Sequence, residues 1–206
     1  MVAEYDYRNF GTGTIEQMVK LIQALEIAVK YIAADSIEQL LREIEGANAV
    51  FIIGVGRSGE IGRCYAMRET QMDLLYKKIY VAGESTTPAS KRGDVAIGVT
   101  SSGETDSVNL LLEKFKKKGV RIIVVTAKPD SSAGKMADLI INITDKSRIL
   151  RDNADFAKEI EKIGTFAPLG TISEIMSLIF FDAFIAEWMK KLNITEDQLK
   201  IVHQDF

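Results

Sequence analysis

The chain has 206 residues, with 26 Lys and Arg against 29 Asp and Glu and a formal net charge of −3. That length suits one α/β domain with a full core and is short for two, and the near-balanced charge argues against a nucleic-acid partner, which normally leaves a basic stripe. A single cysteine excludes an internal disulfide, one cysteine with one histidine excludes a zinc site built from those residue types, and both fit a reducing cytoplasm.

The opening "MVAEYDYRNFGTGT" (1–14) has acidic residues and no apolar segment, so it reads as a flexible arm and not as a secretion signal. Ile15, Met18, Val19, Ile22, Leu25, Val29 and Ile32 recur at helical spacing, which predicts an amphipathic helix over 14–33. A second helix is expected from Asp35–Ser36 to Gly46, and the two make an N-terminal helical segment, 15–46. The pattern then changes to short apolar runs expected as strands: "AVFIIGV" (49–55), "KIYVAG" (78–83), "DVAIGV" (94–99), "RIIVVT" (121–126) and "DLIINI" (138–143). Helices are expected between them at 58–76, 105–118 and 132–137. "KFKKKG" (114–119) reads as a solvated helix end closed by Gly119, its lysines complementing the helix dipole. Strands apolar on both faces and alternating with helices imply a parallel sheet covered on both sides. A polar connection, 144–170, leads to "ISEIMSLIFFDAFIAEWMKKL" (172–192). Glu174, Asp182, Glu187 and Lys190 make that stretch costly at bilayer depth, so it is expected to be a helix buried in the core or between subunits, without a membrane partner. The expected organisation is one domain, with the sandwich and C-terminal helix over 47–206.

Five stretches carry polar residues where strands end. "GVGRSG" (54–59) has the GxGxxG spacing of a dinucleotide turn, and Glu84 ends the second strand where an acidic residue takes a ribose hydroxyl. Against that reading, 48 residues precede the strand that leads into the motif and a serine stands at position 58; a purely structural glycine turn is the other alternative. "TSSGETDS" (100–107) fits a capping box, Ser101 as N-cap and Glu104 reaching back, which leaves Thr100, Ser102 and Thr105 over. Hydroxyls at a helix N-terminus suit an anion, and two such junctions after the first and third strands would face each other across a switch point. A phosphorylated small molecule is the natural occupant. "ESTTP" (84–88) reads equally as an extended turn before Pro88. Thr171 and Glu174 in "PLGTISE" (168–174) form a second capping-box pattern, and His203 in the polar tail reads as a surface residue.

Taken together, "GVGRSGEIGRCYAMR", "GESTTP", "TSSGETDSV", the "PLGTISE" helix start and the C-terminal histidine resemble the sugar isomerase (SIS) domain family, in its 6-phospho-3-hexuloisomerase branch, over about residues 15–206. The resemblance implies a flavodoxin-like five-stranded parallel sheet in a homotetramer. It also implies interconversion of D-arabino-3-hexulose 6-phosphate and fructose 6-phosphate without metal or organic cofactor. By the same resemblance, Ser58, Thr100, Ser101, Ser102 and Thr105 contact the phosphate, with Arg57 beside them. Gly56 and Gly103 allow close backbone approach, and Thr86 and Thr87 line the sugar. Glu174 is the implied base and His203 reaches in from a neighbouring subunit. The residue types fit: moving a carbonyl from C3 to C2 removes the C2 proton, passes through a cis-enediol and reprotonates C3, which one carboxylate over one face can perform.

The chain departs from the family pattern at Gln71, where a histidine is usual, at Asp73 in place of glycine, at Leu169 in place of methionine, in its "HQDF" ending and in the length of 144–170. Two other readings compete. One is a non-catalytic SIS sensor, although the 48 residues before the first strand are too few and too acidic for the usual DNA-binding fusion. The other is an NAD-dependent oxidoreductase using "GVGRSG".

Overall fold

The computed structural model describes residues 9–72, 78–143, 168 and 170–203. In chain order the elements are α1 (Phe10–Val29), α2 (Ala34–Gly46), β1 (Ala49–Ile53), α3 (Gly56–Gln71), β2 (Lys78–Val81), β3 (Val95–Val99), α4 (Asp106–Lys117), β4 (Arg121–Thr126), α5 (Ser132–Met136), β5 (Leu139–Asn142), α6 (Thr171–Leu192) and α7 (Glu196–His203). The five strands pair in parallel in the order β2-β1-β3-β4-β5, with Ile52 opposite both Val81 and Ile97. This is the flavodoxin-like order, and it places the switch point between β1 and β3.

The apolar runs are explained by burial on both faces. Every residue of β1 and β3 is buried. Val50 and Ile52 face a core shared with α1, α2, α3 and α6, whereas Ala49, Phe51 and Ile53 face a second core with α4 and α5. Across that second core, Phe51 meets Phe115 edge-on at 5.2 Å between ring centroids. Gly98 on β3 is small for a packing reason, since a Cβ there would lie 3.1 Å from Leu112 Cδ2. Helix α6 buries Ile172, Met176, Phe180, Phe181, Phe184, Ile185 and Trp188, and Phe181 stacks on Tyr65 of α3 at 4.4 Å. Among the described residues no helix is long and apolar enough to cross a membrane.

All five expected strands and the expected helices are found, with shifted ends. Helix α1 starts at Phe10, inside the segment expected to be a flexible arm, and stops at Val29, four positions before the expected end. Helix α3 starts at Gly56 and α2 keeps Gly46 as its last helical residue. Gly119 closes α4 as expected, with φ 76° and its N–H donating to Lys116 O at 2.9 Å. Asp73, Leu169, most of the 144–170 connection and the last three residues lie outside the described residues.

Helix α1 differs from the others in what it hides. Only Ala24 and Ala28 are buried, whereas Ile15, Met18, Val19 and Ile22 are each between 48% and 63% exposed.

Candidate functional site

A cleft of about 240 Å³ opens over the C-terminal ends of β1, β3 and β4. Its walls are Val55 and Ser58 after β1, Val99 to Ser102 with Thr105 and Val108 after β3, Lys128 after β4, and Gly170 with Glu174 at the start of α6. Three helix N-termini therefore converge on it, those of α3, α4 and α6. None is closed by a capping side chain, their N-cap residues being Val55, Thr105 and Gly170. The first-turn N–H groups of a helix have no partner inside it, and together they carry partial positive charge.

The close approach of β1 to α3 requires glycine at two places. A Cβ on Gly54 would lie 2.8 Å from Gly59 Cα, and one on Gly59 would lie 2.8 Å from Gly54 C. Backbone thus packs on backbone, which brings Ser58 to the end of the strand. The structural glycine-turn alternative therefore accounts for Gly54 and Gly59. Gly56 adopts φ 57° in open space.

The loop 100–105 is sewn to the loop after β4. Thr100 N donates to Val125 O at 3.0 Å, Ala127 N to Ser101 O at 3.2 Å and Ala133 N to Gly103 O at 3.0 Å. Within it, Gly103 N donates to Thr100 Oγ1 at 3.1 Å and Glu104 N to Ser102 Oγ at 3.3 Å. The Ser173 hydroxyl donates to Gly170 O at 2.9 Å, so in the close contact between the Ser101 and Ser173 hydroxyls it is Ser101 that donates.

Neither expected capping box forms. Helix α4 starts only after Thr105, so Glu104 precedes it and instead accepts from Ser132 N at 3.1 Å, at the first turn of α5. The Ser132 hydroxyl and N–H hold the Glu104 carboxyl below the ordinary glutamate range. In α6 the N-cap is Gly170 at φ 86°, and no side chain caps the helix. Glu174 lines the cleft with its carboxylate 2.8 Å from Arg57 Nε and its side chain 14% exposed. Arg57, 64% exposed, reaches the site through that ion pair and is not part of the lining.

A family model described as the SIS domain matches residues 43–162. A Methanocaldococcus jannaschii protein named 3-hexulose-6-phosphate isomerase is 35% identical over 165 residues, covering 80% of this chain and 81% of the relative. A Bacillus subtilis protein of the same name is 30% identical, covering 92% and 97%. The crystal structure of a Methanococcus jannaschii protein, described as inferring a molecular function of 3-hexulose-6-phosphate isomerase, superposes with a TM-score of 0.74 at 33% identity, over 93% of this chain and 99% of that one. The chain belongs to the SIS domain family.

Within this SIS domain, Ser58, Thr100, Ser101, Ser102, Thr105 and Glu174 come together as one cleft. Thr86 and Thr87 do not join them. They line a separate recess of about 280 Å³ beside β2 and α3, where Thr87 Oγ1 donates to Val81 O at 2.6 Å and closes the turn. Glu84, the acid a nucleotide ribose would need, is paired with Arg63. Gly103 is required by packing, because a Cβ there would lie 1.9 Å from Ser131 Oγ. His203 ends α7, which packs on α3 of its own chain. Lys128 and Gly170 are lining residues absent from the sequence-level site. Lys128 follows a strand end just as Ser58 and Ser101 do, and that position was the signal available.

Proposed function

We propose that this SIS-domain protein is a phosphosugar isomerase that interconverts D-arabino-3-hexulose 6-phosphate and fructose 6-phosphate. The observation that carries this reading is the convergence of three helix N-termini on one cleft whose lining combines five hydroxyl residues with the carboxylate of Glu174. Oriented N–H dipoles and short hydroxyls suit a phosphate group. A carboxylate in the same cleft suits a proton transfer at the carbons next to a carbonyl.

In this reading the phosphate sits against Ser58, Ser102 and Thr105 at the start of α4, and the sugar carbons extend toward Glu174. Glu174 removes the proton from C2 of the 3-ketose. The electron pair of that C–H bond forms the C2–C3 double bond of a cis-enediol, and the C3 carbonyl oxygen takes a proton. Return of a proton to C3 and loss of the O2 proton leave the carbonyl at C2, with no net oxidation. Arg57 holds the Glu174 carboxylate in place, so geometry supplies much of the rate. His203 moves the oxygen protons from a neighbouring copy of the chain. The exposed apolar stripe on α1 supports such an assembly of copies, with four as the expected number.

The two 3-hexulose-6-phosphate isomerase relatives support the same substrate class. The β2-β1-β3-β4-β5 strand order, in place of the dinucleotide-type order, and the Arg63–Glu84 pair weigh against the NAD-dependent alternative.

The test is incubation with fructose 6-phosphate in D₂O. A 3-hexulose phosphate should form, with solvent deuterium at the exchanging carbon. Binding of the phosphosugar without exchange would favour the non-catalytic sensor, and stabilisation by NAD(H) alone would favour the oxidoreductase.

A further inference from the structure

We infer that Lys128 is a specificity residue of the cleft, supplying the fixed positive charge that selects a doubly charged phosphate over a neutral or singly charged group. The inference deepens the phosphosugar reading and rests on it. Lys128 lines the same cleft as Ser58, Ser101, Ser102 and Thr105, at the end of the strand next to β3. Three helix termini and a set of hydroxyls supply only partial charges, whereas a phosphate monoester carries close to two full charges at neutral pH. Lys128 is a half-buried residue of that lining, and its ammonium is the full positive charge that such a ligand calls for.

The position of Lys128 is fixed by backbone and buried side chains. Its N–H donates to Thr126 Oγ1 at 3.1 Å, and its carbonyl accepts from Ser131 N at 3.0 Å. Thr126 is buried, and its hydroxyl donates to Ser101 O at 3.3 Å. Ala127 N bonds the same Ser101 carbonyl. The lysine is thus carried on the strap that holds the loop 100–105, which keeps the root of its side chain beside the hydroxyls. The nearby anion, Glu104, is not among the lining residues and accepts from Ser132 N at 3.1 Å.

The probes are inorganic phosphate, titrated by calorimetry, and fructose 6-phosphate, in steady-state turnover by the full chain. Lys128→Met should weaken phosphate binding and raise KM by about tenfold to a hundredfold, the range for a lost charge-assisted contact. Because the contact is made equally in ground and transition states, kcat should stay within about threefold. The backbone bonds of Lys128 remain in that variant, so the ligand-free Tm should match the parent. Lys128→Arg should restore most of the affinity lost by the Met variant, and raising the ionic strength should weaken binding to the parent more steeply than to Lys128→Met. If the parent binds phosphate and Lys128→Met binds it equally well, or loses kcat with KM unchanged, the assignment is overturned and the phosphosugar reading stands. If the parent binds neither probe, both fall together.

Discussion

Glu174 Oε2 lies 2.8 Å from Arg57 Nε, which joins the first turn of α6 to the first turn of α3 across the mouth of the cleft. A carboxylate engaged this way is not a helix cap, because its own helix begins at Gly170 with no side-chain cap bond. Glu174→Gln is isosteric, so the fold and phosphate binding should persist while kcat falls by about a thousandfold, the usual worth of a general base. Arg57 is mostly exposed, so the pair adds little stability. Arg57→Met should therefore leave Tm unchanged and lower kcat about tenfold through misplacement of the carboxylate. Steady-state turnover with thermal melts measures both. A Glu174→Gln enzyme turning over near the parent rate removes that residue from the mechanism.

Glu104 predicts a pH dependence outside the catalytic step. Its carboxyl is held below the ordinary glutamate value by the Ser132 hydroxyl, then by the Ser132 N–H, with Lys135 and Lys128 adding to the effect. A carboxyl depressed in the folded state stabilises the protein above the unfolded-state value near 4.5, and the contribution is lost as pH falls through the lower folded value. Glu104→Gln cannot titrate. The Tm gap between parent and variant should be widest above pH 5 and close toward pH 3. The gap should be small, because Glu104 is fully exposed. A gap that does not change with pH would mean that Glu104 acts through hydrogen-bond geometry alone.

The fold was legible because β1 and β3 are buried on both faces and leave unbroken apolar runs; β1 and the half-buried edge strand β2 both start where expected and both end two residues early, where the chain turns. Ser58 and the 100–105 hydroxyls were legible because short polar side chains at the end of a buried strand have few other uses. The two S/T-x-x-E patterns misled for a local reason. A capping box needs the helix to start beside its serine or threonine, yet α4 starts beyond Glu104 and α6 starts from a left-handed glycine. Thr86 and Thr87 carry the right hydroxyls, but the turn after β2 points them along α3 and not across the sheet end. Lys128 was missed because a single lysine before proline carries no periodicity, and its place after a strand end was the one signal available. Ser173 was invisible for a related reason: its partner Ser101 is 72 residues distant in sequence.

Helix α1 exposes an apolar stripe that a lone copy would leave in water. Met18 and Ile22 lie on it, at 56% and 62% exposure. Substituting either by glutamate removes no buried contact within the chain, so the monomer's stability should change by no more than about 0.5 kcal/mol. In an assembly built on that stripe, each substitution places a charge in an apolar contact and should dissociate it. Sedimentation velocity on the parent, Met18→Glu and Ile22→Glu distinguishes the two cases. A parent that sediments as a monomer rejects α1 as an interface and, with it, the route by which a neighbouring His203 would arrive.

Gly103 and Ser131 offer a direct test of how rigidly the loop 100–105 is held. Gly103 adopts φ 67°, and a Cβ there would lie 1.9 Å from Ser131 Oγ and 2.5 Å from Ser131 Cβ. The strain of a left-handed alanine alone costs roughly 1–2 kcal/mol. The overlap adds to it, because Ser131 is itself fixed as the N-cap of α5, accepting from Gly134 N at 3.2 Å. Gly103→Ala should therefore destabilise by more than about 3 kcal/mol. Ser131→Gly removes the obstructing atoms and, as an N-cap change to glycine, should cost only a few tenths of a kcal/mol. In the double variant the two effects should not add. The loss should be smaller than the sum of the singles by about 1–3 kcal/mol, leaving mainly the φ strain. Urea unfolding of the four proteins gives that coupling directly. Additive losses would mean that the loop can move away from α5, in which case the strap is too soft to fix Lys128 against the hydroxyls.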